Sequence, residues 1–125
     1  MTCNPIVWFE LYVQDMAQAK NFYEAVFGYT LTQLESPIPD MELWAFPMEQ
    51  GLPGATGALV RMEGKDSGGG GTLIYFSCAD CSVEAAKAAA AGGQIFKEKF
   101  SIGQYGFIAL VYDTEGNMIG LHSMQ

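Results

Sequence analysis

Positive charge is what this chain has least of: 6 lysines and arginines face 14 acidic residues among 125, for a net charge of −8. Nucleic-acid recognition needs a basic stripe to neutralise phosphates, so that class of partner is excluded. Long apolar runs are also missing. The longest, Phe107 to Tyr112, falls far short of the roughly 20 residues of a membrane span, so no transmembrane helix is encoded. The opening Met-Thr-Cys-Asn-Pro has no basic segment, and Glu10 interrupts the one stretch that could serve as a signal core, so a cytoplasmic protein is expected. Cysteine is sparse and odd in number (Cys3, Cys78, Cys81), which argues against an oxidised, disulfide-stapled framework. None is needed: half of the residues are hydrophobic, enough for a chain of 13.6 kDa to close a core as one domain.

What is present is a long internal repeat. A shift of 65 positions carries Asp15 onto Asp80 and Gly28 onto Gly93, and sets Phe9, Leu11 and Val13 on Ile74, Phe76 and Cys78. In the first half, Val7, Phe9, Leu11 and Val13 alternate with Trp8, Glu10, Tyr12 and Gln14, the period of a strand. Asp15 then caps a helix, with Gln18 in place for a capping box, and Met16, Ala19, Phe22, Tyr23, Val26 and Phe27 follow at helical spacing up to Gly28. Strands are predicted at about Thr30–Glu35, Met41–Phe46 and Ala55–Met62.

After a polar, glycine-rich connector at 63–71, the order returns: a strand over Thr72–Ala79, a helix from Asp80 to Ala91, then strands near Ile95–Phe100, Gly106–Tyr112 and Met118–Met124. The expected organisation is one α+β domain of two βαβββ modules, about 5–62 and 72–125.

The strand ending in Val13-Gln14-Asp15, the segment Phe22-Tyr23-Glu24-Ala25-Val26-Phe27-Gly28, the strand ending at Asp80, the Gly92-Gly93 pair and Asp113-Thr114-Glu115-Gly116-Asn117 together resemble the vicinal oxygen chelate superfamily, which includes glyoxalase, bleomycin-resistance proteins and extradiol dioxygenases. The resemblance covers nearly the whole chain. It implies the glyoxalase/bleomycin resistance/dihydroxybiphenyl dioxygenase-like fold, in which the modules form a curled mixed sheet around a cleft. Metal-dependent members bind one divalent ion through His, Gln or Glu on the first and last strands of each module. The matching positions here are Trp8, Gly120, Leu73 (or Ile74) and Gly57, none of which carries a ligating side chain. No metal ligand and no cofactor are therefore expected, and a divalent ion is disfavoured.

Strand parity suggests what the cleft would hold. If Val7, Phe9, Leu11 and Val13 face the helix, then Trp8, Glu10 and Tyr12 face away from it, as do Tyr75 in the second module and His122 beside Gly120. Aligning Gly57 with Gly120 adds Arg61. Trp8, Glu10, Tyr12, Arg61, Tyr75 and His122 are thus the candidate ligand-binding residues, suited to a neutral or cationic, partly aromatic small molecule. Glu10 and His122 are the candidates for proton transfer if the protein is an enzyme.

Competing readings are structural. A lone His122 serves as a hydrogen-bonded scaffold residue, and Glu10 and Arg61 neutralise each other. Cys78-Ala79-Asp80-Cys81 is not read as a redox pair because Cys78 has helix-facing parity, and Gly68–Gly71 lacks the Lys-Ser/Thr of a phosphate loop. The leading function is a metal-independent small-molecule binder similar to drug-sequestering members. The alternative is a glyoxalase-like lyase or isomerase, or a dioxygenase-type enzyme, with a displaced metal site. Family members often dimerise, so a homodimer through sheet edges is also an expectation.

Overall fold

The computed structural model describes residues 4–125; Cys3 lies outside the described residues. The elements run β1 (Ile6–Tyr12), α1 (Met16–Phe27), β2 (Thr32–Leu34), β3 (Met41–Ala45), β4 (Thr56–Met62), β5 (Thr72–Ser77), α2 (Cys81–Ala90), β6 (Gln94–Ser101), β7 (Phe107–Tyr112) and β8 (Met118–Ser123), with a short 3-10 turn at Gly103–Tyr105. This is βαβββ twice over, an α+β fold of mixed strands. Two compact units emerge: Trp8–Leu73, and Ile74–Gln125 together with the described residues up to Val7.

In the first unit the strand order is β2-β3-β4-β1, antiparallel except that β1 runs parallel to β4. The second repeats this as β5-β8-β7-β6, with β5 parallel to β8. A parallel neighbour requires a crossover, and in each module the helix begins it.

Both helices start where an aspartate can accept from orphan N–H groups. Asp15 Oδ1 accepts from the Gln18 N–H at 3.0 Å, and Asp80 Oδ1 accepts from the Ser82 N–H at 3.0 Å. Gly28 stops α1 in the left-handed conformation, φ 75°, its N–H donating to the Glu24 carbonyl. Glu24 also shortens the following strand: its carboxylate accepts from the Leu31 N–H at 3.1 Å, so pairing begins only at Thr32.

Each unit has its own core on its helix side. In the first, Met16, Leu31, Phe46 and Leu59 pack with Phe9, Leu11, Val13, Ala19 and Tyr23. In the second, Cys81, Ala85, Ala109, Val111 and Leu121 pack with Phe76, Cys78, Ala88 and Ile95. The glycine-rich connector is not a loose tether at its ends. The Gln14 side chain donates to the Lys65 carbonyl and accepts from the Ser67 N–H, and the Tyr12 N–H donates to the Gly71 carbonyl at 2.7 Å. No described helix is long and apolar enough to cross a membrane.

Candidate functional site

The side of the first sheet turned away from α1 carries the most concentrated chemistry. Trp8, Glu10 and Tyr12 alternate along β1 and so project from one face. Parallel register sets Thr56, Ala58 and Val60 beside them, and β3 adds Leu43 opposite Val60. Within this apolar surround Glu10 is 7% exposed. The Trp8 indole N–H donates to Glu10 Oε2 at 3.2 Å, and the Tyr12 hydroxyl donates to Oε1 at 2.8 Å. Burial, reinforced by the Glu10 charge and this hydrogen bond, pushes the Tyr12 phenol far above its ordinary range, so it remains a donor at any physiological pH.

Arg61 does not join them. It is paired across the β3–β4 ladder with Glu42, Nε to Oε1 3.5 Å, and lines a recess of about 280 Å³ with Asp40, Met41, Glu42 and Glu63. Its strand parity is that of Leu59, which packs on the α1 side, so Arg61 and Glu10 lie on opposite faces of the sheet. The expected Glu10–Arg61 neutralisation is corrected to Arg61–Glu42.

The cause is a one-residue phase error. Glu10 sits opposite Ala58 just as Tyr75 sits opposite Gly120, so Ala58, not Gly57, is the counterpart of Gly120. Gly57 faces α1 instead. A side chain there would run into the Phe9 carbonyl and come within 2.7 Å of its ring.

In the second unit Tyr75 and His122 share the face away from α2, as parity predicts: Tyr75 pairs with Gly120 and Ser77 with His122. The buried Tyr75 ring lies directly over Gly120, in the space that a β-carbon would fill. His122 Nε2 is 2.6 Å from the Tyr105 carbonyl. A carbonyl only accepts, so this nitrogen carries the proton and anchors the 3-10 turn, leaving Nδ1 as the nitrogen with a lone pair. Tyr105, which fixes that tautomer, was not legible in the sequence. Nor was the set around Trp44, whose indole N–H donates to Glu42 at 2.8 Å beneath the Lys20 ammonium, 3.4 Å from the ring centre.

Comparison with known proteins agrees with this plan. The profile of the Glyoxalase/Bleomycin resistance protein/Dioxygenase superfamily matches residues 5–121, and the chain belongs to that family. It is 31% identical over 120 residues to "Putative glyoxylase CFP32" of Mycobacterium bovis and of Mycobacterium tuberculosis, covering 89% of this chain and 41% of those proteins. The chain thus spans about two fifths of the length of the curated relatives it matches. Among solved structures, methylmalonyl-CoA epimerase from Mycobacterium tuberculosis superposes with a TM-score of 0.71 at 14% identity, covering 100% of this chain and 93% of that one. A hypothetical protein from Bacillus halodurans C-125 gives 0.74 at 11% identity, with 99% and 96% covered. At these identities the likeness concerns the fold.

The divalent ion implied by the family finds a poor donor set at the corresponding positions. Trp8 offers only an N–H, already given to Glu10, while Leu73 and Ala58 are hydrocarbon. At Gly120 any ligating side chain would first have to displace the Tyr75 ring. Among the described residues, no cluster of three or more His, Cys, Asp or Glu is arranged to hold a metal ion.

Proposed function

We propose that this chain is a small-molecule-binding protein of the glyoxalase/bleomycin-resistance type. In this reading it works without a divalent metal and takes a neutral or cationic, partly aromatic ligand on the face of Trp8, Glu10 and Tyr12. The observation that carries it is the buried Glu10 carboxylate between an indole and a phenol. A cation brought there gains a charge partner in a poorly solvated place, and each ring face adds about 0.5–2 kcal/mol of cation–π attraction. Neutral aromatic groups gain stacking from the same rings.

Thermal-shift and calorimetric titration against a panel of aryl-ammonium and matched neutral aryl compounds tests this. A ligand at 100 times its Kd stabilises the fold by about 2.7 kcal/mol, an easily read shift in Tm. Glu10→Gln is expected to weaken the cationic members at least about tenfold while leaving neutral ones nearly unchanged. A panel in which nothing stabilises the protein sinks the reading.

The putative glyoxylase and epimerase relatives favour a second reading, an enzyme with a displaced metal site. Stoichiometric zinc, nickel, manganese or iron in protein purified without a histidine tag would replace the first reading with this one.

A further inference from the structure

Helix α1 presents more apolar surface than its sheet covers. At about 100° per residue, Met16, Ala19 and Tyr23 point at the sheet, and Phe22 and Val26 form a stripe on the flank beside Ala19. That stripe is open: Phe22 is 57%, Val26 55%, Phe27 57% and Tyr29 41% exposed. The rings are nevertheless held in position. Phe22 meets Tyr23 edge-on at 5.0 Å, Phe27 stacks on Tyr29 at 5.5 Å, and Tyr23 and Tyr29 both rest against the buried Phe46. A partner landing there would immobilise little that is not already ordered.

Size and charge together indicate the occupant. Taking about 150–250 Å² for a whole aromatic side chain, the four residues expose on the order of 400 Å² of apolar surface. One side of a standard interface buries about 800 Å², a little over half of it apolar, so this patch supplies most of the apolar share of one side. The helix carries only Lys20 and Glu24 as charged residues, in a chain whose net charge is −8. A cationic protein partner would be recognised through carboxylates, in which this face is poor. Two copies of an acidic chain, by contrast, repel each other least where charge is sparse and balanced. We propose that a second copy of this chain docks here, α1 against α1 about a two-fold axis, so that the same patch closes on itself. The proposal does not depend on the ligand reading above.

Sedimentation velocity and native mass spectrometry from about 1 to 100 μM test it on the wild type and on the Phe22→Asp/Val26→Asp variant. Both positions are exposed, and a circular-dichroism melt checks that the fold is kept. The expected result is a wild-type dimer whose dissociation constant rises at least about tenfold in the variant. Hydrogen exchange across α1, faster on dilution of the wild type, supplies a readout that needs no substitution. A wild-type chain that stays monomeric throughout leaves the face to some other protein and overturns the proposal. A dimer unchanged in a folded variant, with β6 amides protected instead, assigns the contact to a sheet edge and overturns it equally.

Discussion

The two modules share a backbone plan and spend it differently. Helix α1 meets its sheet through Met16, Ala19 and Tyr23 and carries large aromatics outward, while α2 is built on alanine and buries Cys81 and Ala85. On the sheet faces turned from the helices, the first module stations a carboxylate with two donors at Glu10, and the equivalent place in the second holds the Tyr75 ring on Gly120. Even the glycines of the fourth strands differ. Gly57 makes room for Phe9 on the helix side, and Gly120 makes room for Tyr75 on the other. Duplication of a fold thus preserves the ladder and leaves each face free to acquire its own chemistry.

The contrast between the glycines is the first to break. Gly57→Ala drives a methyl into the Phe9 carbonyl, which cannot swing away, and is expected to cost at least about 3 kcal/mol in urea unfolding. Glu10→Ala strands the Trp8 and Tyr12 donors in a buried place and should cost about 2–3 kcal/mol, with no equivalent loss from Ser77→Ala on the second module. Gly120→Ala meets a ring that can shift, so about 2 kcal/mol is expected. The Gly120→Ala/Tyr75→Ala double variant should cost less than the sum of the single changes. Strict additivity would mean that the glycine does not serve the ring.

Two smaller effects sharpen the comparison of the helix starts. Hydrogen bonds from the Ser82 hydroxyl and from Lys99 hold Asp80 down at about pKa 2, below its ordinary 3.8. A depressed carboxyl stabilises the fold fully above its unfolded pKa and ceases to as pH falls through the folded one. The Asp80 contribution is therefore expected to fade between about pH 4 and 2, and Asp80→Asn should flatten that limb of a stability–pH profile. Burial, and secondarily the Glu84 charge, push the Cys78 thiol up to about 11 from 9.0. Its stabilising share is present below pH 9 and lost as pH rises through 11. Peptide-mapped alkylation at pH 8 should find Cys78 about 100-fold slower than a free thiol, through its thiolate fraction alone.

Much of this was legible in one dimension. The period-2 pattern of β1 placed Trp8, Glu10 and Tyr12 together, and aspartate and glycine marked the start and stop of α1. Arg61 was misplaced because Gly57, Ala58, Leu59 and Val60 are buried without interruption, so the run has no polar phase to read. On such a strand, alternation fails and an alignment of glycines is a poor substitute. The partner of His122 was hidden for another reason: a backbone carbonyl has no sequence signature.

By itself, then, the sequence determined the repeat, the order of the elements, the family and the residues on each face of β1. All of these follow from local periodicity and capping, which act within a few residues. Only the tertiary structure decided the pairing of β4 against β1, the choice of Glu42 over Glu10 for Arg61, the seat of Tyr75 on Gly120 and the tautomer of His122. Those depend on register between strands far apart in the chain, where a shift of one residue reverses every side chain and no local preference opposes it.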